Sequence, residues 1–231
     1  MGISDPNCYA SPPPKIICEL FLAGDASSQD PLEFLQEIAA ENKDNMLLIV
    51  YGDGRVRNSI FSQQKAKLIG MDTPLIIFNG NRLIKPSATG LWLQQCRETI
   101  KELSLPAPAE VEFALSTRLS KSGKPEVVSY ACNLDASEGF KGKVVLWELR
   151  TETSGLSTTS NFWINVNQLT VQGVNLSPFA ITESCPLPAW VSIQQDSAGQ
   201  QWQVVGLLED EMGNIKGIDW VSAADIAGWS Q

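Results

Sequence analysis

At 231 residues and 43% hydrophobic content, the chain is long enough for one large domain or two modest ones and apolar enough to bury a core. It contains no histidine, which removes Ser-His and Cys-His nucleophile schemes, the usual zinc nitrogen ligand and the usual pH switch. A formal net charge of −9 opposes nucleic-acid binding, and no apolar run reaches the ~18 residues that a membrane span needs.

In chain order, residues 1–14 end in Ser11-Pro12-Pro13-Pro14 and read as a stiff, extended lead-in. Ile16-Ile17-Cys18-Glu19-Leu20-Phe21 is a strand. The helix that follows is capped by Ser28 or Asp30 and opened by Pro31, with Leu32, Leu35, Ile38 and Ala39 on one face. Met46 to Tyr51 is an unbroken apolar run of strand length, as in a strand covered on both faces. Asp53-Gly54 turns the chain into a more polar helix over 57–69. Strands at 75–78 and 82–85 are joined by Asn79-Gly80-Asn81, a hairpin signal, and a helix runs from about Ser87 to Leu103. Leu105-Pro106-Ala107-Pro108-Ala109 marks a boundary.

Beyond it the hydrophobic period becomes two. Strands are predicted near 111–119, 127–134, 143–149, 161–166, 189–194, 201–208 and 214–220, which suggests an antiparallel sandwich. The predicted division is therefore 1–14, an α/β domain over 15–104, an all-β domain over 109–220 and a tail at 221–231. Residues 1–105 hold 10 basic and 12 acidic groups, and residues 106–231 hold 7 and 14, so most of the negative charge lies in the second half.

The element order β-α-β-α-β-β-α of the first half is the thioredoxin order, a mixed sheet flanked by helices on both sides. With Glu19-Leu20-Phe21 in the opening strand, Pro31 after the following loop, Thr73-Pro74 before the third strand and Val204 to Ile215 as a closing phrase, the chain resembles secreted bacterial thioredoxin-like proteins of the twenty-eight-kilodalton outer-membrane-protein type and a related secreted family. The resemblance implies a C-x-x-C pair at the helix start, where a helix N-terminus stabilises a thiolate. Alignment puts Ala26 and Gln29 at those two positions. Dithiol exchange needs an attacking thiolate and a resolving thiol, and neither residue supplies one. No catalytic residue, metal site or cofactor is expected.

The resemblance also implies a cis bond at Thr73-Pro74, facing the degenerate loop. Its functional reading is a groove that pairs with an extended protein or peptide partner, and its structural reading is a bend that starts the strand. Glu19 is expected to be a partly buried carboxylate beside that loop. Glu209-Asp210-Glu211 reads as a solvated turn rather than a calcium loop.

Five widely spaced cysteines (Cys8, Cys18, Cys96, Cys132, Cys185) contain no C-x-x-C. Cys18 and Cys96 read as buried thiols, and Cys132 and Cys185 are a candidate disulfide if the chain is exported. No signal peptide is visible, so the sequence as written reads as cytoplasmic, or as periplasmic or extracellular with its signal removed. The leading expectation is a non-catalytic binding or scaffolding protein. The rivals are a single-thiol oxidoreductase using Cys18 or Cys96, and carbohydrate or surface-polymer binding by the second half, which holds Trp147, Trp163, Trp190, Trp202 and Trp220.

Overall fold

The computed structural model describes residues 15–22, 29–51, 73–105, 110–119, 125–135, 137–150, 162–163, 165–177, 181–184 and 202–222. The predicted lead-in at 1–14, the helix at 57–69, the strand at 189–194 and the tail at 223–231 lie outside the described residues.

The first sheet forms where the sequence is apolar on both faces. Strands β1 (Ile16–Phe21), β2 (Met46–Tyr51) and β3 (Leu75–Phe78) are buried at every position. β1 pairs in parallel with β2, register Ile16 to Met46 through Phe21 to Tyr51, and antiparallel with β3, register Cys18 to Phe78 through Phe21 to Leu75. β4 (Arg82–Ile84) folds back on β3 through a turn in which Asn79 and Gly80 take positive φ, as the Asn-Gly pair demands. The Asn79 side chain ties the turn to the sheet by accepting the Ile17 N–H at 2.9 Å.

Two helices cover one face. Helix α1 (Gln29–Glu41) buries Leu35, Ile38 and Ala39, and helix α2 (Leu91–Leu103) buries Trp92, Cys96 and Ile100 at spacings of four, one stripe of a helix. These residues pack on Ile16, Cys18, Leu20, Leu48, Val50, Ile76 and Phe78. Phe34 and Trp92 meet edge-to-face at 5.2 Å and join the helices. The sequence had α2 starting at Ser87. Instead Gly90 holds φ 70° and residues 87–89 form a turn in which the Ser87 and Thr89 hydroxyls pair, so the helix starts at Leu91.

The second half forms two antiparallel sheets. One has the order β10-β6-β5, from β5 (Val111–Leu119), β6 (Pro125–Asn133) and β10 (Ile181–Ser184). The other has the order β12-β11-β7-β9, from β7 (Phe140–Arg150), β9 (Asn165–Leu176), β11 (Trp202–Asp210) and β12 (Ile215–Ser222). They face one another across a core holding Val111, Leu115, Val127 and Ala131 on one side and Val144, Leu146, Val174, Leu176, Val204 and Leu208 on the other.

Two findings bear on the expected arrangement. First, both described helices lie on one face of the first sheet, and the helix expected over 57–69 lies outside the described residues. The other face packs on the four-stranded sheet, with Ile17, Phe21, Leu47, Ile49, Tyr51, Leu75 and Ile77 meeting Val145, Trp147, Leu149, Val205 and Leu207. β7 and β11 are themselves apolar on both faces, so each feeds two cores. Second, the predicted strand at 161–166 is divided: Asn165 and Val166 open β9 against β7, whereas its earlier part joins the first sheet. Phe162–Trp163 (β8) adds in parallel to β2 beside Leu48 and Ile49, so the first sheet runs β4-β3-β1-β2-β8. The boundary near 106–109 therefore divides the chain but not the sheets. The layers in order are helices, five-stranded sheet, four-stranded sheet and three-stranded sheet.

A polar tie crosses these layers. The Asp219 carboxylate accepts from Lys15, from the Leu115 N–H at 2.7 Å and from the Trp220 N–H at 2.8 Å, and it also pairs ionically with Lys15. Lys15 lies 4.3 Å from the Trp220 ring centroid. One carboxylate thus joins the start of β1, strand β5 and strand β12.

Candidate functional site

Opposed residues on neighbouring strands share a face, so the register of β1 sorts its side chains. Ile16, Cys18 and Leu20 face the helices, while Ile17, Glu19 and Phe21 face the second half. Glu19 sits between Ile49 and Ile77 and is fully buried, more deeply than the expected partial burial beside a loop. Its Oε1 accepts the Tyr51 hydroxyl at 3.1 Å. Tyr51 stacks on Phe21 at 4.7 Å, which fixes the phenol over the carboxylate. Burial pushes the Tyr51 hydroxyl well above its ordinary pKa, and the Glu19 charge and hydrogen bond push it further. Tyr51 was absent from the sequence-derived site. It ends the apolar run 46–51, and only the β1–β2 register shows that it shares a face with Glu19.

Thr73 and Pro74 are half-buried and joined by a cis peptide bond. The β1–β3 ladder ends at Phe21 and Leu75, so Thr73 and Pro74 lie just past it, beside Leu22 where β1 leaves the sheet. Leu22 donates its N–H to the Tyr51 carbonyl at 2.8 Å. Gln29 is the exposed first residue of α1, its side-chain amide donating to Glu33. Ala26 and the rest of the loop at 23–28 lie outside the described residues. The structure thus brings Thr73, Pro74 and the end of β1 together, and sets Glu19 deeper on the face turned toward the second half.

The thiols are placed elsewhere. Cys18 and Cys96 are fully buried in the helix-side core, on the opposite face of the sheet from Glu19. Burial pushes the Cys18 thiol well up, with neighbouring Cys96 and Glu19 adding to it, and burial pushes Cys96 up to about 12. Cys132 is a half-buried free thiol. β10 sets Ile181 opposite Cys132 and runs antiparallel to Ser184 opposite Ser129, and Cys185 lies outside the described residues.

Two second-half features also have local explanations. Asp210 Oδ1 accepts the Met212 and Asn214 N–H groups at 2.9 and 2.8 Å, and Oδ2 accepts the Asn214 side-chain amide at 2.8 Å. Gly213 follows with φ 83°, so the carboxylate closes the β11–β12 turn. Burial presses the Asp210 carboxyl upward, but the Asn214 side chain, the two N–H groups and Lys216 together hold it below its ordinary pKa. An open groove of about 540 Å³ beside this turn is lined by Lys141, Lys143, Asn175, Asp210 and Glu211. Lys143 is already paired with Glu209 at 3.0 Å. Among the tryptophans, Trp147 is buried between sheets and Trp220 is half-buried beneath Lys15. Trp190 lies outside the described residues.

No family model matches this chain, and no curated protein matches it. Among solved structures it is similar to HBP35 of Porphyromonas gingivalis, with a TM-score of 0.47 and 10% identity over 91% of this chain and 75% of that one. It is also similar to a β-glucosidase from Kluyveromyces marxianus in complex with glucose (TM-score 0.29, 12% identity, 51% of this chain and 14% of that one). DesR, a β-glucosidase from Streptomyces venezuelae, is a further likeness (TM-score 0.29, 10% identity, 55% and 17%). These likenesses assign no family.

Proposed function

We propose that this chain is a non-catalytic binding or scaffolding protein, a thioredoxin-like domain without its dithiol joined to a β-sandwich-like domain, and that it takes an extended peptide beside Pro74. One observation carries the reading: Cys18 and Cys96, the described thiols nearest this sheet, are sealed in the helix-side core, whereas Thr73 and Pro74 are half-exposed at the end of β1. A thiol raised to about 12 holds almost no thiolate at neutral pH, so sulfur exchange has no attacker there. The backbone of Thr73 lies outside the β1–β3 ladder, which supports a reading in which it pairs with an added strand.

Hydrogen exchange of the whole chain against a library of extended peptides tests this. Binding should protect residues 73–78 and be weakened by Thr73→Pro, which removes a backbone donor there. Protection confined to other segments, or none with any peptide, would remove the reading. Disulfide reductase activity lost on Cys18→Ser or Cys96→Ser would replace it with single-thiol chemistry.

A further inference from the structure

An unpaired edge strand is a template for another strand, and proteins blunt such edges with charges, prolines, short length or cover. Each of the three sheets has edges to account for. β4 is three residues long and carries Arg82, and β8 is two residues long. β10 contains Glu183, β5 contains Glu112 and Arg118, and β12 contains Lys216 and Asp219. β12 is also held against β5 through Asp219.

β9 is different. It runs twelve residues, Asn-Val-Asn-Gln-Leu-Thr-Val-Gln-Gly-Val-Asn-Leu, with no charged residue and no proline. Its inner edge pairs with β7 from Phe140 to Arg150, and no described strand pairs with its outer edge. Gln168, Val171, Gly173, Asn175 and Ser177 are exposed, Val171 to 48%, and a Cβ built on Gly173 meets nothing within 4 Å. The pairing with β7 shifts register once, at Leu169, and from Thr170 to Leu176 the ladder is unbroken, with Val174 and Leu176 anchored in the core on the other face.

We propose that the outer edge of β9 pairs antiparallel with β9 of a second copy, joining the two four-stranded sheets across a two-fold axis. Length and neutrality select this occupant. Two copies of net charge −9 repel one another at long range, but β9 itself holds no charge, so pairing along this edge adds no like-charge contact to that repulsion. A second β9 matches it in length and neutrality and sets no like charges opposite one another. The same patch on both copies closes the assembly at two.

Light scattering coupled to size exclusion, across loading concentrations up to about 100 μM, tests the proposal on the full chain. Wild type should approach twice the monomer mass, and amides of residues 166–176 should gain protection as concentration rises. The variant Val171→Lys/Asn175→Lys should raise the dissociation constant by at least tenfold while leaving circular dichroism and melting temperature unchanged. Each single lysine variant, read the same way, serves if the double variant does not fold. Leu83→Lys on β4 should leave the dimer intact. A wild-type monomer throughout the series would overturn self-pairing and leave the edge to a foreign strand. A dimer that persists in the lysine variants would overturn the assignment to β9.

Discussion

Leu207→Ala tests whether the two halves share one core. Leu207 is fully buried on β11, on the face turned to the first sheet. Removing its three outer carbons forfeits about 2.4 kcal/mol of transfer free energy at ~0.8 kcal/mol per buried carbon. A residual cavity of about 40 Å³ adds roughly 1 kcal/mol at ~24 cal/mol per Å³. The expected loss is therefore about 3 kcal/mol, close to two powers of ten in the unfolding equilibrium. Because seven first-half residues line the same core, the loss should reach β1 and β2 although the substitution lies in the second half. Urea unfolding followed by hydrogen exchange should show one transition, with amides of residues 16–21, 46–51 and 144–149 losing protection by the same factor. Unchanged protection of β1 and β2, with loss confined to β7 and β11, would refute the shared core.

Alkylation of the native protein at pH 8, mapped by peptide mass, should label Cys132 well before Cys18 or Cys96, and rapid labelling of either buried thiol would contradict their placement. Asp219→Ala should lower stability by roughly 2–3 kcal/mol in urea titration, since it strands the Leu115 N–H and releases Lys15, and a shift below about 0.5 kcal/mol would show the tie to be dispensable. Asp210 has a folded-state pKa below its unfolded value near 3.9, so its contribution is present above that pH and fades as pH falls through the folded value. The melting-temperature gap between wild type and Asp210→Ala should accordingly shrink from pH 7 to pH 3, and a gap that widens on acidification would invert the assigned shift.

Much of the first sheet was legible because its signals are local. The apolar runs at 16–21, 46–51 and 75–78 and the Asn79-Gly80 turn need no distant partner to be read. What covers the sheet was not legible. An apolar run covered on both faces states that a partner exists and not which, so the strands predicted at 143–149 and 201–208 could not be assigned as the cover of the first sheet. β9 went unread beyond 166 because Asn165, Asn167, Gly173 and Asn175 are poor strand formers, and its structure comes from β7 beside it. β8 falls inside the strand predicted at 161–166, but two residues carry no signal that they join β2. At the candidate site, the bend at Thr73-Pro74 and the burial of Glu19 were visible in chain order. The Tyr51 hydroxyl above that carboxylate required the register.

The pairing of Phe162 and Trp163 with Leu48 and Ile49 has a consequence for synthesis. The edge of β2 leaves the ribosome early, but the segment that caps it emerges roughly a hundred residues later, about 5–20 s at ordinary translation speeds of ~5–20 residues per second. During that interval no described strand pairs with that edge of β2, and a fragment ending at the proline-rich boundary would lack the strand that does.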